Sequence, residues 1–215
     1  MSKYSYVLFD LDGTLTDSGP GIVNGFSYAI SKMGDEVKDK EQLKKFVGPP
    51  LRDSFERVLG YSPEDATRAI SFYREYYNGM GGNLENKVYP GIDELLSSLK
   101  NAGKKLIVAT SKGEHGTNVV LEHFGLRKYF DFVATANDTD REHKSDVIRY
   151  ALKECGIQNL HDAVMVGDRE NDVSAACEVG LDSIGVLYGY GDEDELTKAG
   201  ATYLAQTAKD IEALV

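Results

Sequence analysis

The chain is poor in the features that mark membrane, secreted or nucleic-acid-binding proteins. No apolar run approaches the ~20 residues that a membrane-spanning helix needs. The first residues, with a charged Lys3 and a brief apolar stretch, do not follow the pattern of a signal peptide. Cysteine is scarce: two among 215 residues exclude a disulfide framework and a zinc cluster. Cys155 and Cys177 fall at apolar positions of expected helices and read as reduced core residues. Basic side chains are outnumbered, 24 against 35 acidic ones, and a formal net charge of −11 argues against a duplex nucleic-acid partner. A small phosphorylated ligand stays compatible, because it needs only a local positive field. The four histidines, His115, His123, His143 and His161, have no metal-ligand spacing, and no twelve-residue loop of spaced acids suggests calcium. These absences give the expectation of a cytoplasmic protein without membrane or nucleic-acid-polymer partners, a monomer or weak homo-oligomer.

What is present is a core-forming composition, 41% hydrophobic, and an alternation of elements. Val7-Leu8-Phe9 is a short apolar strand that stops at Asp10-Leu11-Asp12-Gly13-Thr14. From about Gly19 to Asn86 the spacing is helical: Ile22, Phe26, Ala29, Ile30 and Met33 form one stripe, and Leu51, Phe55, Val58 and Leu59 another. Ser62-Pro63-Glu64-Asp65 opens a further helix with a cap hydroxyl, a first-turn proline and early acids, and Gly79-Met80-Gly81-Gly82 closes it. From Pro90 onward helices and apolar strands alternate. The strands are Leu106-Ile107-Val108-Ala109, Phe132-Val133-Ala134, Ala163-Val164-Met165-Val166 and Ser183-Ile184-Gly185-Val186-Leu187. Continuous apolar strands between amphipathic helices predict a Rossmann-like, doubly wound parallel sheet, class α/β, with an all-helical insertion after its first strand. The expected division is a core of residues 1–16 and 88–215 and a helical cap of residues 17–87.

In such sheets ligands bind at the carboxyl ends of the strands. Those ends carry Asp10 and Asp12, Thr110 and Ser111, and the run Gly167-Asp168-Arg169-Glu170-Asn171-Asp172, while Lys144 begins the helix after the third strand. Two carboxylates ~4 Å apart repel by about 4 kcal/mol at an effective dielectric near 20. A divalent cation removes that penalty, and few, hard oxygen ligands favour Mg²⁺. Each residue alone has a plainer reading: Asp-Gly as a turn, Thr110 as a strand terminator, Lys144 as a solvated helix start. Together, in this order, they read as a site.

The four segments Asp10-Leu11-Asp12-Gly13-Thr14, Thr110, Lys144 and Gly167-Asp168 with Asp172 resemble the ordered motifs of the haloacid dehalogenase superfamily over nearly the whole chain. The insertion resembles the small helical cap of one of its branches. The resemblance implies a phosphoric monoester hydrolase in which Asp10 attacks phosphorus and Asp12 is the acid and base. It implies a metal site of Asp10, Asp168, the backbone carbonyl of Asp12 and a nearby Asp172. It further implies a phosphate cradle of Thr110, Lys144 and backbone amides near Gly13, Ser111 and Lys112. A carboxylate at position 12 favours phosphate esters over halides or phosphonates. The hinge segment Gly21-Ile22-Val23-Asn24 lacks the histidine usual in sugar phosphomutases. The words Val47-Gly48-Pro49-Pro50-Leu51-Arg52-Asp53-Ser54-Phe55 and Gly185-Val186-Leu187-Tyr188-Gly189-Tyr190-Gly191 are most similar to a 5'-nucleotidase-like subgroup close to phosphoglycolate phosphatases. Substrate candidates are thus a nucleoside monophosphate, then phosphoglycolate. A sugar phosphomutase and a non-catalytic phosphate-ligand binder are the alternatives. Arg52 and Arg141 are candidate substrate contacts, each with a surface-arginine reading beside it. Tyr73, Tyr76 and Tyr77 read as cap packing rather than a stacking platform.

Overall fold

In the computed structural model, which describes residues 3–137 and 139–215, six parallel strands lie in the order β3-β2-β1-β4-β5-β6. They are β1 (Tyr6–Phe9), β2 (Lys105–Gly113), β3 (Phe132–Ala136), β4 (Ala163–Gly167), β5 (Asp182–Val186) and β6 (Tyr203–Ala205). The chain starts in the middle, builds β2 and β3 to one side, then crosses to build β4, β5 and β6 on the other. The reversal places β1 beside β4, where an open α/β sheet has its crevice. The helices are α1 (Gly19–Lys32), α2 (Leu51–Asp53), α3 (Pro63–Arg74), α4 (Ile92–Asn101), α5 (Glu114–His123), α6 (Lys144–Glu154), α7 (Glu170–Val179), α8 (Glu193–Ala199) and α9 (Ala208–Leu214). Among the described residues no helix is long and apolar enough to cross a membrane.

Alternation along the strands feeds two cores. Val7, Phe9, Leu106, Val108, Val164 and Val166 face one side, with α4, α5 and α9. Leu8, Ile107, Ala109, Ala163 and Met165 face the other, with α6 and α7. A third cluster forms within the helical insertion, where Phe26 packs against Phe46, Phe55 and Tyr73 with ring centroids 4.7, 4.9 and 5.1 Å away. The two connections to this insertion run side by side: Asp17 N–H donates to the Lys87 carbonyl (2.7 Å), Tyr89 N–H to the Leu15 carbonyl (3.1 Å), and Lys87 pairs with Asp17 (3.2 Å).

Three local expectations are modified. The second strand continues past Ala109 to Gly113, but its pairing with β3 shifts register after Thr110, which still pairs with Thr135, so Ser111-Lys112 bulges from the ladder. A sixth strand at the edge, three residues long and half-buried for most of its length, carries too little periodicity to be read from sequence. Cys177 is exposed, not core: α7 buries Val173, Ala175 and Ala176, and the next position turns away from the sheet. Cys155, at the end of α6, is half-buried. Both thiols are free.

Because the insertion has its own core, damage there should stay local. Phe26→Ala is expected to cost about 3–5 kcal/mol. Hydrogen exchange should show lost protection in α1 and α3 with the amides of β1 and β4 retained; uniform loss across the sheet would contradict it.

Candidate active site

β1 ends in a tight turn whose hydrogen bonds decide where its carboxylates go. Asp10 N–H still bonds the Val166 carbonyl of β4 (2.9 Å), so Asp10 stays in register with the sheet. The next residues curl: Leu15 and Thr16 N–H both reach the Leu11 carbonyl (3.0 Å each), and Gly13 N–H donates to Thr16 (2.8 Å). Gly13 has φ +86°, and a Cβ there would lie 2.2 Å from an Asp168 carboxylate oxygen. Only glycine meets both demands, the left-handed backbone and the contact with an acid from β4.

Asp10, Asp168 and Asp172 are all buried, and each offers an oxygen within 4.8 Å of the others'. Lys144, buried at the first turn of α6, places Nζ 2.9 Å from Asp10 Oδ1 and 2.8 Å from Asp172 Oδ1, and donates to the Ala109 carbonyl (3.2 Å). Those two carboxylate oxygens have the ion-pair contact but no well-aligned hydrogen bond. Asp168 is held by the Thr14 hydroxyl (3.1 Å) and by the Tyr190 amide (2.8 Å). One ammonium therefore pairs with two carboxylates of a cluster of three. Burial pushes the Asp10 carboxyl up to about 6, with Lys144 opposing and the charge of Asp172 adding to the rise. Burial, then the charges of Asp172 and Asp10, hold Asp168 well above the ordinary carboxylate range. Burial alone would lower Lys144, but the two carboxylates outweigh it and hold it above its ordinary value. Surplus negative charge, hard oxygen donors and two oxygens without aligned donors fit a small divalent cation.

Asp12 stands apart from this cluster. Both of its oxygens lie 3.0 Å from Lys112 Nζ, which also donates to the Tyr77 hydroxyl (2.6 Å). Thr110 is buried at the register shift of β2, and its hydroxyl accepts from Lys112 N–H (3.2 Å). Of the amides expected to hold phosphate, those of Gly13 and Lys112 are thus engaged within the protein. Asp12, Ser111 and Lys112 open onto a cleft of about 700 Å³ whose far wall, from the insertion, includes Gly48, Pro49, Pro50, Arg52, Tyr73 and Asn78. Arg52 reaches this cleft while paired with Glu56 (2.7 Å), an exposed i,i+4 pair that is cheap to break. Arg141 does not line it. Its Nε donates to the Thr135 carbonyl (3.0 Å) and its guanidinium lies 4.2 Å from the centroid of the Tyr150 ring, so it fastens the loop before α6 instead.

Four side chains to which sequence alone assigned no role in the site complete the geometry. Thr14 and Tyr190 fix Asp168, and Tyr190 also hydrogen-bonds Asp17 in the connection to the insertion. Tyr77 stacks on Tyr73 (5.1 Å, 18°) as packing predicts, yet its hydroxyl leaves the core to meet Lys112. Arg169, next to Asp168, pairs with Glu195 (2.7 Å) and donates to the Val47 carbonyl of the insertion (2.6 Å). Thr14 closes the first motif and Arg169 follows Asp168, which is the only signal they carried; the Tyr77 contact joins positions 35 residues apart and left none.

The upward shifts of Asp10 and Asp168 set the sign of their pH effect in metal-free protein. A carboxyl at about 6 when folded, against 3.8 as its ordinary value, binds more protons in the native state. The contribution of Asp10 to stability is therefore greatest below about 3.8 and is lost as pH rises from there through about 6, and Asp168 acts in the same direction. At pH 8 with chelator, Asp10→Asn should raise Tm, by ~2–4 °C for each kcal/mol of repulsion removed. A lower Tm than wild type in calorimetry would refute this reading.

Residues 7–186 match the haloacid dehalogenase-like hydrolase family. The chain is 38% identical over 195 residues to a 5'-nucleotidase of Pseudomonas aeruginosa, covering 90% of this chain and 87% of that one. It is 40% identical over 204 residues to the tyrosine-protein kinase PtkA of Mycobacterium tuberculosis, covering 94% and 68%. The crystal structure of a predicted phosphatase from Clostridium acetobutylicum superposes with TM-score 0.95 at 47% identity, over 99% and 98% of the two chains. The chain belongs to the haloacid dehalogenase-like hydrolase family and is a phosphatase of that fold.

Proposed function

We propose that this phosphatase is a Mg²⁺-dependent phosphomonoester hydrolase that works through a phosphorylated Asp10, with a nucleoside 5'-monophosphate as the preferred substrate class. The observation that carries the reading is the buried set of Asp10, Asp168 and Asp172 around Lys144, with Asp12 held separately at the mouth of the cleft.

Mg²⁺ held by Asp10, Asp168 and the backbone carbonyl of Asp12, with Asp172 beside them, would neutralise phosphate charge and favour in-line attack. Asp10 attacks phosphorus, and Asp12 gives its proton to the ester oxygen as the P–O bond breaks and the alcohol departs. Asp12, now a carboxylate, takes a proton from water as the water oxygen attacks phosphorus. The bond to Asp10 breaks, inorganic phosphate leaves, and both aspartates return to their starting states. The Thr110 hydroxyl, the Ser111 amide and the Lys144 ammonium hold the non-bridging oxygens. The amides of Gly13 and Lys112 join only by exchanging their present acceptors. Residues 17–87 act as a cap, hinged at the paired connections, that excludes water during attack and readmits it afterwards.

The size of the cleft favours a nucleoside over a two-carbon leaving group, and the relative named 5'-nucleotidase points the same way. Arg52 lines the cleft from the cap and can exchange its glutamate for a substrate anion.

A phosphate-release screen over nucleotides, sugar phosphates and phosphoglycolate, with Mg²⁺ and with chelator, tests this. Release should depend on the metal, be greatest with nucleoside monophosphates, and fall at least about a thousandfold in Asp10→Asn. An isomerised sugar phosphate without free phosphate would make the enzyme a mutase. Transfer from a nucleoside triphosphate to tyrosine without hydrolysis would align it with its kinase-named relative.

A further inference from the structure

We propose that Lys112 is a positioning residue for Asp12, and that the Tyr77 hydroxyl makes this positioning conditional on the closed cap. The inference rests on the phosphatase reading, in which Asp12 carries the proton to and from the reacting oxygen.

Lys112 is the only described residue whose side chain reaches both oxygens of Asp12, at 3.0 Å each. Its third partner, the Tyr77 hydroxyl at 2.6 Å, belongs to the turn Glu75–Gly79 that continues α3 in the insertion. The ammonium also lies 4.5 Å from the centroid of the Tyr77 ring. The side chains of Lys112 and Asp12 are only 9% and 11% exposed, and Tyr77 is buried, so the contact is largely withdrawn from water. Exposed lysine–carboxylate pairs contribute little, whereas a desolvated ammonium with a fixed set of acceptors orients them. The stem has a prepared path: a Cβ on Gly116 of α5 would stand 3.3 Å from Lys112 Cε.

Two lysines thus divide the acids. Lys144 serves Asp10 and Asp172, the nucleophile and its neighbour, while Lys112 serves the proton carrier. The two are not equivalent in what holds them. Lys144 is anchored wholly within the sheet domain by the Ala109 carbonyl. Lys112 has one partner on each side of the cleft, so moving the insertion away removes Tyr77 and lets water reach the ammonium. Asp12 then keeps a flexible, hydrated counter-ion in place of a fixed one. With the cap shut, Lys112 holds the carboxylate at the mouth of the cleft and away from the acidic cluster. Proton transfer is thereby aligned only in the state that also excludes bulk water.

Leaving-group dependence separates this role from a structural or a substrate-binding one. A nucleoside 5'-monophosphate releases an alkoxide that needs the Asp12 proton; p-nitrophenyl phosphate releases a stable phenolate that does not. Lys112→Met, Lys112→Arg and Tyr77→Phe are compared with wild type on both esters, with folding checked by circular dichroism. Lys112→Met should lower kcat at least about tenfold more on the nucleotide than on the aryl ester, within the 10²–10⁴-fold that acid–base catalysis supplies. Lys112→Arg should restore most of that difference, and Tyr77→Phe should show the same selectivity to a smaller degree. Equal losses on the two esters, or a rise in KM with kcat unchanged, would overturn the inference. If the wild-type enzyme releases phosphate from neither ester, the phosphatase reading fails and takes this one with it.

Discussion

The carboxyl edge of the sheet depends on a single ammonium, that of Lys144, standing between carboxylates that would otherwise drive one another apart. Removing Lys144 would be strongly destabilising, because the carboxylates would keep their desolvation cost without compensation. Lys144 offsets part of the repulsion among Asp10, Asp168 and Asp172 but not all of it. That partial balance lets the chain fold with the acids already gathered, and it leaves surplus negative charge concentrated at the strand ends.

The topology explains why so few residues suffice. β1 and β4 are neighbours although more than 150 residues separate them, and each ends in an acid at the same edge. A glycine turn after β1 brings the backbone against Asp168, and a register shift in β2 just after Thr110 frees Ser111 and Lys112 from the ladder. The acids lie against rigid elements on both sides, with α6 and α7 supplying Lys144 and Asp172 from their first turns. The helical insertion is attached through two short connections that pair with each other.

Much of this was legible in the sequence because the site is assembled from strand ends, and apolar strands followed by polar residues are a short-range pattern. Asp10, Asp12, Thr110, Lys144, Asp168 and Asp172 could all be placed on one edge from that pattern alone. The features that escaped it are long-range or weakly periodic. The hydroxyl of Tyr77 finds Lys112 across the cleft, and nothing in a run of tyrosines at helical spacing distinguishes a packed ring from one with a polar errand. Arg141 sits beside motif residues yet turns to Thr135 and Tyr150, since a carbonyl and a ring lay within its reach. Cys177 differs from its buried neighbour Ala176 by one helical step, a distinction that depends on the orientation of α7 on the sheet.

The Arg169 contact bears on how such an enzyme can diversify. The residue that follows Asp168 grips the Val47 carbonyl at the base of the Gly48-Pro49-Pro50 turn and is itself steadied by Glu195. A carbonyl is offered by every amino acid, so this grip survives any change of side chain at position 47 and reads only the path of the main chain. Side chains around the turn are therefore free to drift toward new leaving groups, whereas insertions or deletions that displace the turn disturb the loop bearing Asp168. Around this turn, a change of side chain is cheap and a change of main-chain length is costly.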